Sequence, residues 1–281
     1  MTRPLDTDEI TAIYDDLVDT YELEWSRRGH RSMHLAYYDD DHQAAGEAAI
    51  NTMRLLSETA GVASGDRVLD IGCGAGEDAV WNVRAHDATV VGVDIGERQI
   101  ELARETAETH EVADSVRFAR DDFHELSTVA DDSIDLVWAL EALSHSPELP
   151  RALAQARRVL VDDGRLAVAD IFLRGPTDDD RVTAVEEAFG LRMGSIDSFE
   201  AALTAAGFEQ VDVADRTDGV RQCTENRRQF ARYAHLAGRL LGPLGPFSDR
   251  QMAAFRGSSR MHELVTDGIV GYYVVTATLG D

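Results

Sequence analysis

Apolar and polar positions along the chain follow two alternating periods. Short β-branched and aliphatic runs at 67–71, 89–94, 116–119, 134–139 and 165–171 predict buried strands. Between them, 77–85, 97–109 and 149–160 carry apolar residues at helical spacing. Strand and helix in alternation predict an α/β fold with a parallel sheet and right-handed crossovers. Gly164, after Asp162-Asp163, supplies the turn into the fifth strand. Further on, Ser198 to Ala206 reads as a short helix ended by Gly207, 211–215 as a strand, and Val270 to Leu279 as a final strand. The segment from Arg216 to Ile269 reads as two helices, 225–241 and 249–267, broken by Gly242-Pro243-Leu244-Gly245-Pro246. An insertion that long predicts a lid. At the other end, Ile10, Tyr14, Leu17, Val18 and Tyr21 keep helical spacing behind the acidic cap 6–9, and Gln43 to Ala60 reads as a second helix. These first sixty residues look too polar for a core. The expected organisation is a helical cap (1–60), a core (61–215), a helical lid (216–269) and a last core strand (270–281).

The most informative stretch is Arg67 to Glu77, where a strand breaks into Gly72, Gly74 and Gly76 and a helix begins. Strand, tight glycine turn and helix N-terminus together make a nucleotide-type site. The spacing is G-x-G-x-G, whereas the dinucleotide fingerprint is G-x-G-x-x-G. Asp70 stands just before the first glycine, where a carboxylate repels a pyrophosphate and attracts a cation. Asp94 ends the second strand, about 20 residues on, a position suited to ribose hydroxyls. Adenosine without phosphates, joined to a cationic head, describes S-adenosylmethionine.

Composition sharpens the picture in three ways. Net charge is −25, and all 27 basic residues are arginine. That balance opposes nucleic acid or anionic lipid as a partner. It suits a high-salt cytoplasm, where the Debye length falls to about 3 Å at 1 M salt. Cys73 and Cys223 are far apart in sequence and read as free thiols of a reducing compartment. No run reaches the roughly 18 apolar residues of a membrane span. Nine histidines are scattered along the chain, and no metal site is expected.

Candidate chemistry lies at the carboxyl ends of the strands, where open α/β sheets bind ligands. Asp122, with Phe123 beside it, is a candidate acceptor for the adenine amino group, against a solvated acidic turn. His145, just beyond the fourth strand, is a candidate base near neutral pH, against a loop-packing role beside Pro147. Asp170 ends the fifth strand and is a candidate to orient His145 or to bind the acceptor, against a carboxylate bonded to loop amides. His34, Tyr37, Tyr38 and Tyr14 are expected to close the cofactor site from the cap. Arg27, Arg28 and Arg31 are candidates to hold an acidic substrate, with a solvated loop as the plainer reading.

At these residues the chain resembles the class I S-adenosylmethionine-dependent methyltransferases that act on small molecules. Ile13-Tyr14-Asp15-Asp16, Trp25 and His34-Leu35-Ala36-Tyr37-Tyr38 are similar to the N-terminal signature of tocopherol, sugar O- and sarcosine/dimethylglycine N-methyltransferases. Leu136 to Glu141, Leu143 to Pro147, Ala167 to Asp170 and Gly271-Tyr272-Tyr273 also match. The resemblance implies a Rossmann-like, seven-stranded, mostly parallel sheet whose last strand is antiparallel. It implies S-adenosylmethionine at Asp70, Gly72, Gly74, Asp94 and Asp122; Cys73, Gly76, Ile95, Phe123, Ala139, Leu140 and Tyr37 complete the expected cofactor site. In the sugar enzymes a histidine pair and a strand-end aspartate are implicated in catalysis. Here Ser144 replaces one histidine, so His145 and Asp170 carry over. Ala36 stands where the family has glycine, and the loop after Trp25 is longer than usual. The expected activity is methyl transfer to a small acceptor, with a hydroxyl first, an amine or quinone carbon as alternatives, and a non-catalytic sensor as the reading from another class. A cytoplasmic monomer or homodimer is expected.

Overall fold

A computed structural model describes residues 12, 30–241 and 247–280. Calls that fall on the other residues, including Tyr14, Trp25, Arg27, Arg28 and the Gly-Pro break at 242–246, lie outside the described residues.

The described chain begins with α1 (Ala45–Ala60), then β1 (Arg67–Ile71), α2 (Glu77–His86), β2 (Thr89–Asp94), α3 (Glu97–Thr109), β3 (Val116–Arg120) and β4 (Ile134–Leu140). A single 3-10 turn, Leu143–His145, leads to α4 (Leu149–Val159) and β5 (Leu160–Leu173). The chain continues through α5 (Asp180–Phe189), α6 (Ile196–Ala205), β6 (Phe208–Asp215), α7 (Thr217–Leu241), α8 (Asp249–Thr266) and β7 (Val270–Leu279).

The strands form one seven-stranded sheet in the order β3-β2-β1-β4-β5-β7-β6. Every neighbouring pair from β3 to β5 is parallel, and β7 runs antiparallel between β5 and β6. The expected sheet with its antiparallel last strand is therefore present. Strand side chains alternate between two apolar layers. Val68, Leu136 and Trp138 face α1, α2 and α3, whereas Leu69, Val137 and Ala139 face α4 and α6. The order reverses between β1 and β4, so a crevice opens at their carboxyl ends.

Four local expectations are corrected. The segment 45–60 is not too polar for a core: Ala48, Ala49, Met53 and Leu56 are at most 2% exposed and join the main apolar cluster. Its polar residues occupy the other face of α1. The turn expected at Asp162-Asp163-Gly164 is an irregularity inside one strand: Ile134 pairs with Leu160 and Leu136 with Arg165, so β5 carries the extra residues as a bulge. Helix α7 starts at Thr217, eight residues before its expected start, and runs through Gly219. A Cβ at Gly219 would stand 2.1 Å from the Tyr37 ring, which is why a helix breaker is tolerated there. Helix α5 was not expected. Asp179 caps its start by accepting the Arg181 N–H, and Gly190 ends it at φ +70°, but only Val182 and Val185 are buried along it.

Candidate functional site

The crevice at the β1 and β4 ends is a large open cavity, enclosing about 1400 Å³ with its mouth included. Its floor is the glycine loop. The Gly72 and Cys73 amides both donate to the Val93 carbonyl, at 2.8 and 3.0 Å, which ties the loop to the end of β2. Asp94 braces it from the other side, accepting the Gly74 N–H at 3.0 Å and the Gly96 N–H at 2.8 Å.

A strap from Arg31 to Tyr38 crosses this loop. The Arg31 N–H donates to Glu77 at 2.6 Å, the Leu35 N–H to Glu141 at 2.6 Å, and the Ala36 N–H to the Cys223 sulfur at 3.3 Å. From α7, the Arg227 guanidinium donates to the Met33 and His34 carbonyls at 3.0 and 3.2 Å. Met33 lies directly above Gly74, where an added Cβ would stand 2.5 Å from its terminal methyl. Arg31 is held by Glu105 and the Leu102 carbonyl.

The expected site residues separate into two groups. Gly72, Cys73, Gly74, Asp94, Ile95, Phe123, Leu140, His145 and Asp170 all line the cavity, as do Arg31 and His34. Asp70, Gly76, Ala139, Tyr37 and Asp122 are not on its lining. Asp70 is buried in β1 beneath the loop. Gly76 is the residue before α2, packed against Ala103 and Phe118. Ala139 lies within the sheet core, and Tyr37 covers Gly219. The Asp122 carboxylate accepts from the His124 ring and amide, at 2.7 and 2.8 Å, and that bonding holds its pKa low.

Carboxylates dominate the electrostatics. Burial pushes Asp70 well above the usual carboxylate range, and the charges of Asp78 and Asp94 push the same way. Its Oδ2 is buried without a hydrogen-bond partner among the described residues. Burial raises Asp78 to about 7 against a weak bond from the Trp138 indole, and raises Glu141 to about 7 against the pull of Arg227. Asp170 rises to about 6, again by burial, and accepts the Ser144 and Ile171 amides at 2.9 and 2.8 Å. It therefore holds the turn that carries His145. The His145 Nδ1 lies 3.1 Å from the Gly190 carbonyl. A carbonyl only accepts, so Nδ1 carries the proton and Nε2 is the basic nitrogen. Burial lowers the His145 pKa to about 4, so the ring is neutral at pH 7.

These residues fit a cation-bearing nucleoside. Clustered, partly uncompensated carboxylates welcome a sulfonium and disfavour a phosphate chain. Gln99, 3% exposed and on the cavity wall, has neither side-chain amide atom bonded among the described residues, a donor–acceptor pair suited to a nucleoside. Sequence reasoning missed Gln99, Asp78, Glu141 and Arg227. Glu141 carried a signal, as an acidic residue one step past a central strand. The structure adds that it sits at φ +51°, a left-handed conformation unusual for a non-glycine residue. Asp78 read only as an acid in a helix's first turn.

Fold and site together define a class I S-adenosylmethionine-dependent methyltransferase. A family model described as a methyltransferase domain matches residues 63–210. The 27-O-demethylrifamycin SV methyltransferase of Amycolatopsis mediterranei is 38% identical over 224 residues, 76% of this chain and 78% of that protein. The chain belongs to this methyltransferase family, and its cofactor is S-adenosylmethionine. Among solved structures, the [4+2]-cyclase SpnF superimposes with a TM-score of 0.79 at 26% identity, covering 100% of this chain and 98% of that one. A candidate sarcosine dimethylglycine methyltransferase from Galdieria sulphuraria gives 0.79 at 21% identity, covering 94% and 99%, and is a likeness of fold. Among the described residues no helix is long and apolar enough to cross a membrane.

Proposed function

We propose that the chain transfers a methyl group to a hydroxyl of a small acceptor, with His145 receiving the proton. The supporting observation is the His145 ring in the cavity, its Nδ1–H directed to Gly190 and its Nε2 therefore basic. A pKa near 4 makes it a weak base, but a weak base suffices here. An alkylated hydroxyl is an oxonium and strongly acidic, so its proton needs only a neutral, aligned acceptor as the bond forms. The cofactor supplies an electrophilic methyl on a sulfonium. The chain's own contribution is alignment and exclusion of water. In this reading Asp94 and Gln99 hold the nucleoside, Asp70 and Asp78 balance the positive charge, and Asp170 positions the His145 turn. The strap and helices α7 and α8 form the cover. The O-methylating relative from Amycolatopsis supports the hydroxyl acceptor. The acidic, lysine-free composition supports a high-salt cytoplasm as the setting.

An amine acceptor is the second reading, favoured by one observation. Asp78, Glu141 and Asp170 line the cavity, and carboxylates stabilise a methylated cation. Labelled methyl transfer into a cell extract at molar KCl, with mass analysis of the product, separates the two and excludes a non-catalytic sensor if label appears. His145→Ala is expected to keep cofactor affinity and lose turnover by about 10²-fold or more. Turnover within twofold of the parent would remove His145 from the mechanism.

A further inference from the structure

Behind the 143–145 turn lies a second cavity, which shares Ser144 and Ile171 with the main one. Its other walls are chiefly apolar: Leu149, Phe172, Met193 and Phe199. The hydroxyls nearest to it are committed elsewhere, Ser146 to the His124 ring at 2.8 Å and Ser198 to the Ser195 carbonyl at 2.7 Å. Two charged residues line it, Glu186 and Arg192. Glu186 accepts the Met193 N–H at 2.9 Å and so fastens the cavity's own wall. The Arg192 amide donates to the Ser144 carbonyl, which fixes its backbone against the turn. Arg192 is half-buried, and its guanidinium makes no hydrogen bond or ion pair among the described residues.

Charge sorting between the two cavities gives this arrangement a meaning. The main cavity is lined by Glu77, Asp78, Asp94, Glu141 and Asp170, and its two arginines are occupied, Arg31 by Glu105 and Arg227 by strap carbonyls. An anionic group is repelled there. Among the described residues, Arg192 is the arginine on either wall with its fork unengaged. A planar guanidinium on the wall of a chiefly apolar cavity is a carboxylate receptor of the bidentate kind.

We propose that the second cavity is the distal subsite of the acceptor, and that it takes an apolar arm ending in a carboxylate held by Arg192. This rests on the reading of the chain as an enzyme with a small-molecule acceptor. It assigns specificity to the segment 189–194, from the last residue of α5 onward, whose Phe189 and Leu191 line the main cavity and whose Arg192 and Met193 line the second.

The methionines provide the test. Met193 lines the second cavity, whereas Met33 and Met261 line the first. Full-length protein labelled at the methionine methyls is titrated at molar KCl with octanoate, octanol and octylammonium, and separately with S-adenosylhomocysteine. Octanoate is expected to shift the Met193 resonance and leave Met33 in place, octanol to do so more weakly, and octylammonium not at all. Arg192→Gln is expected to weaken octanoate about tenfold, with octanol affinity unchanged within twofold. An unmoved Met193, equal octanoate affinity in the variant, or preference for the ammonium overturns the subsite. S-adenosylhomocysteine reports on the underlying reading independently. If it shifts Met33 while octanoate leaves Met193 untouched, the subsite fails and the methyltransferase assignment stands. If it leaves Met33 unmoved, the cofactor site itself is misplaced.

Discussion

At the scale of single residues, the site keeps acidic groups buried near a cofactor that carries a positive charge. Asp78 and Glu141 are raised to about 7 and Asp170 to about 6, each first by burial. An unfolded carboxyl titrates near 4, so between about pH 4 and 7 the folded chain holds protons that the unfolded chain has released. Stability without ligand therefore falls as pH rises through that window. His145 opposes this between about pH 4 and 6.5, because its folded pKa is depressed. From pH 6.5 to 8 the opposing contribution is spent and Asp78 and Glu141 dominate. The melting temperature of the free protein is expected to drop over that interval at constant molar KCl. Added S-adenosylmethionine should raise it more at pH 8 than at pH 6, since ionised carboxylates meet a sulfonium. S-adenosylhomocysteine, whose sulfur is neutral, should show no such widening. Equal increments for the two ligands at both pH values, read by calorimetry, would refute the charge pairing.

At the scale of elements, two glycines of one loop answer to different neighbours. Gly76 sits at φ +82°, and an added Cβ would stand 2.9 Å from the Ala103 backbone on α3 and from the Phe118 ring. Neither can withdraw without moving α3 or β3. Gly76→Ala is expected to destabilise the chain by about 2–4 kcal/mol through strain and overpacking. Gly74 sits at φ +50° and its added Cβ would meet only the flexible end of Met33. Gly74→Ala should cost about 1 kcal/mol of stability, yet weaken cofactor binding by lifting the strap. Thermal unfolding at molar KCl and cofactor titration of the two variants check the split; a reversed order of stability contradicts it.

The same contrast explains what the sequence discloses. Strands β1, β2 and β7 begin and end where their apolar runs do, because burial on both faces leaves no other pattern. The glycine loop and Asp94 were legible for the same reason: each lies at the end of such a run. Helix α5 and the first turns of α7 were not, since their partners are the surface of α8 and, for α7, the strap, which local periodicity does not encode. Asp78, Gln99 and Glu141 looked like ordinary helix-end or strand-end polar residues. Only the crossing of the strap over the loop makes them walls of one cavity.

At the scale of the whole molecule, charge sets the conditions under which this site can exist. The chain carries 52 acidic against 27 basic residues. Many arginines are already paired at the surface, as in Arg67–Asp135, Arg181–Asp267 and Arg228–Glu225. Salt weakens such exposed pairs, but each contributes only about 0–1 kcal/mol. The unpaired acidic excess repels itself over a Debye length of about 30 Å at 0.01 M salt and about 3 Å at 1 M. Relief of that repulsion should outweigh the lost pairs, so the melting temperature is expected to rise with KCl. The shape of the rise identifies its cause. Screening acts mostly below about 0.5 M, where the Debye length is falling fastest, whereas exclusion of salt from apolar surface continues in proportion to concentration. A steep early rise that flattens supports charge relief, a straight line to molar KCl supports solvent exclusion, and a melting temperature equal in dilute buffer and molar KCl refutes salt adaptation. The carboxylate-lined cavity belongs to the same balance. Its acidic walls add to the repulsion that salt must screen, and cofactor binding should therefore stabilise the chain most at low salt, where the incoming positive charge is least shielded.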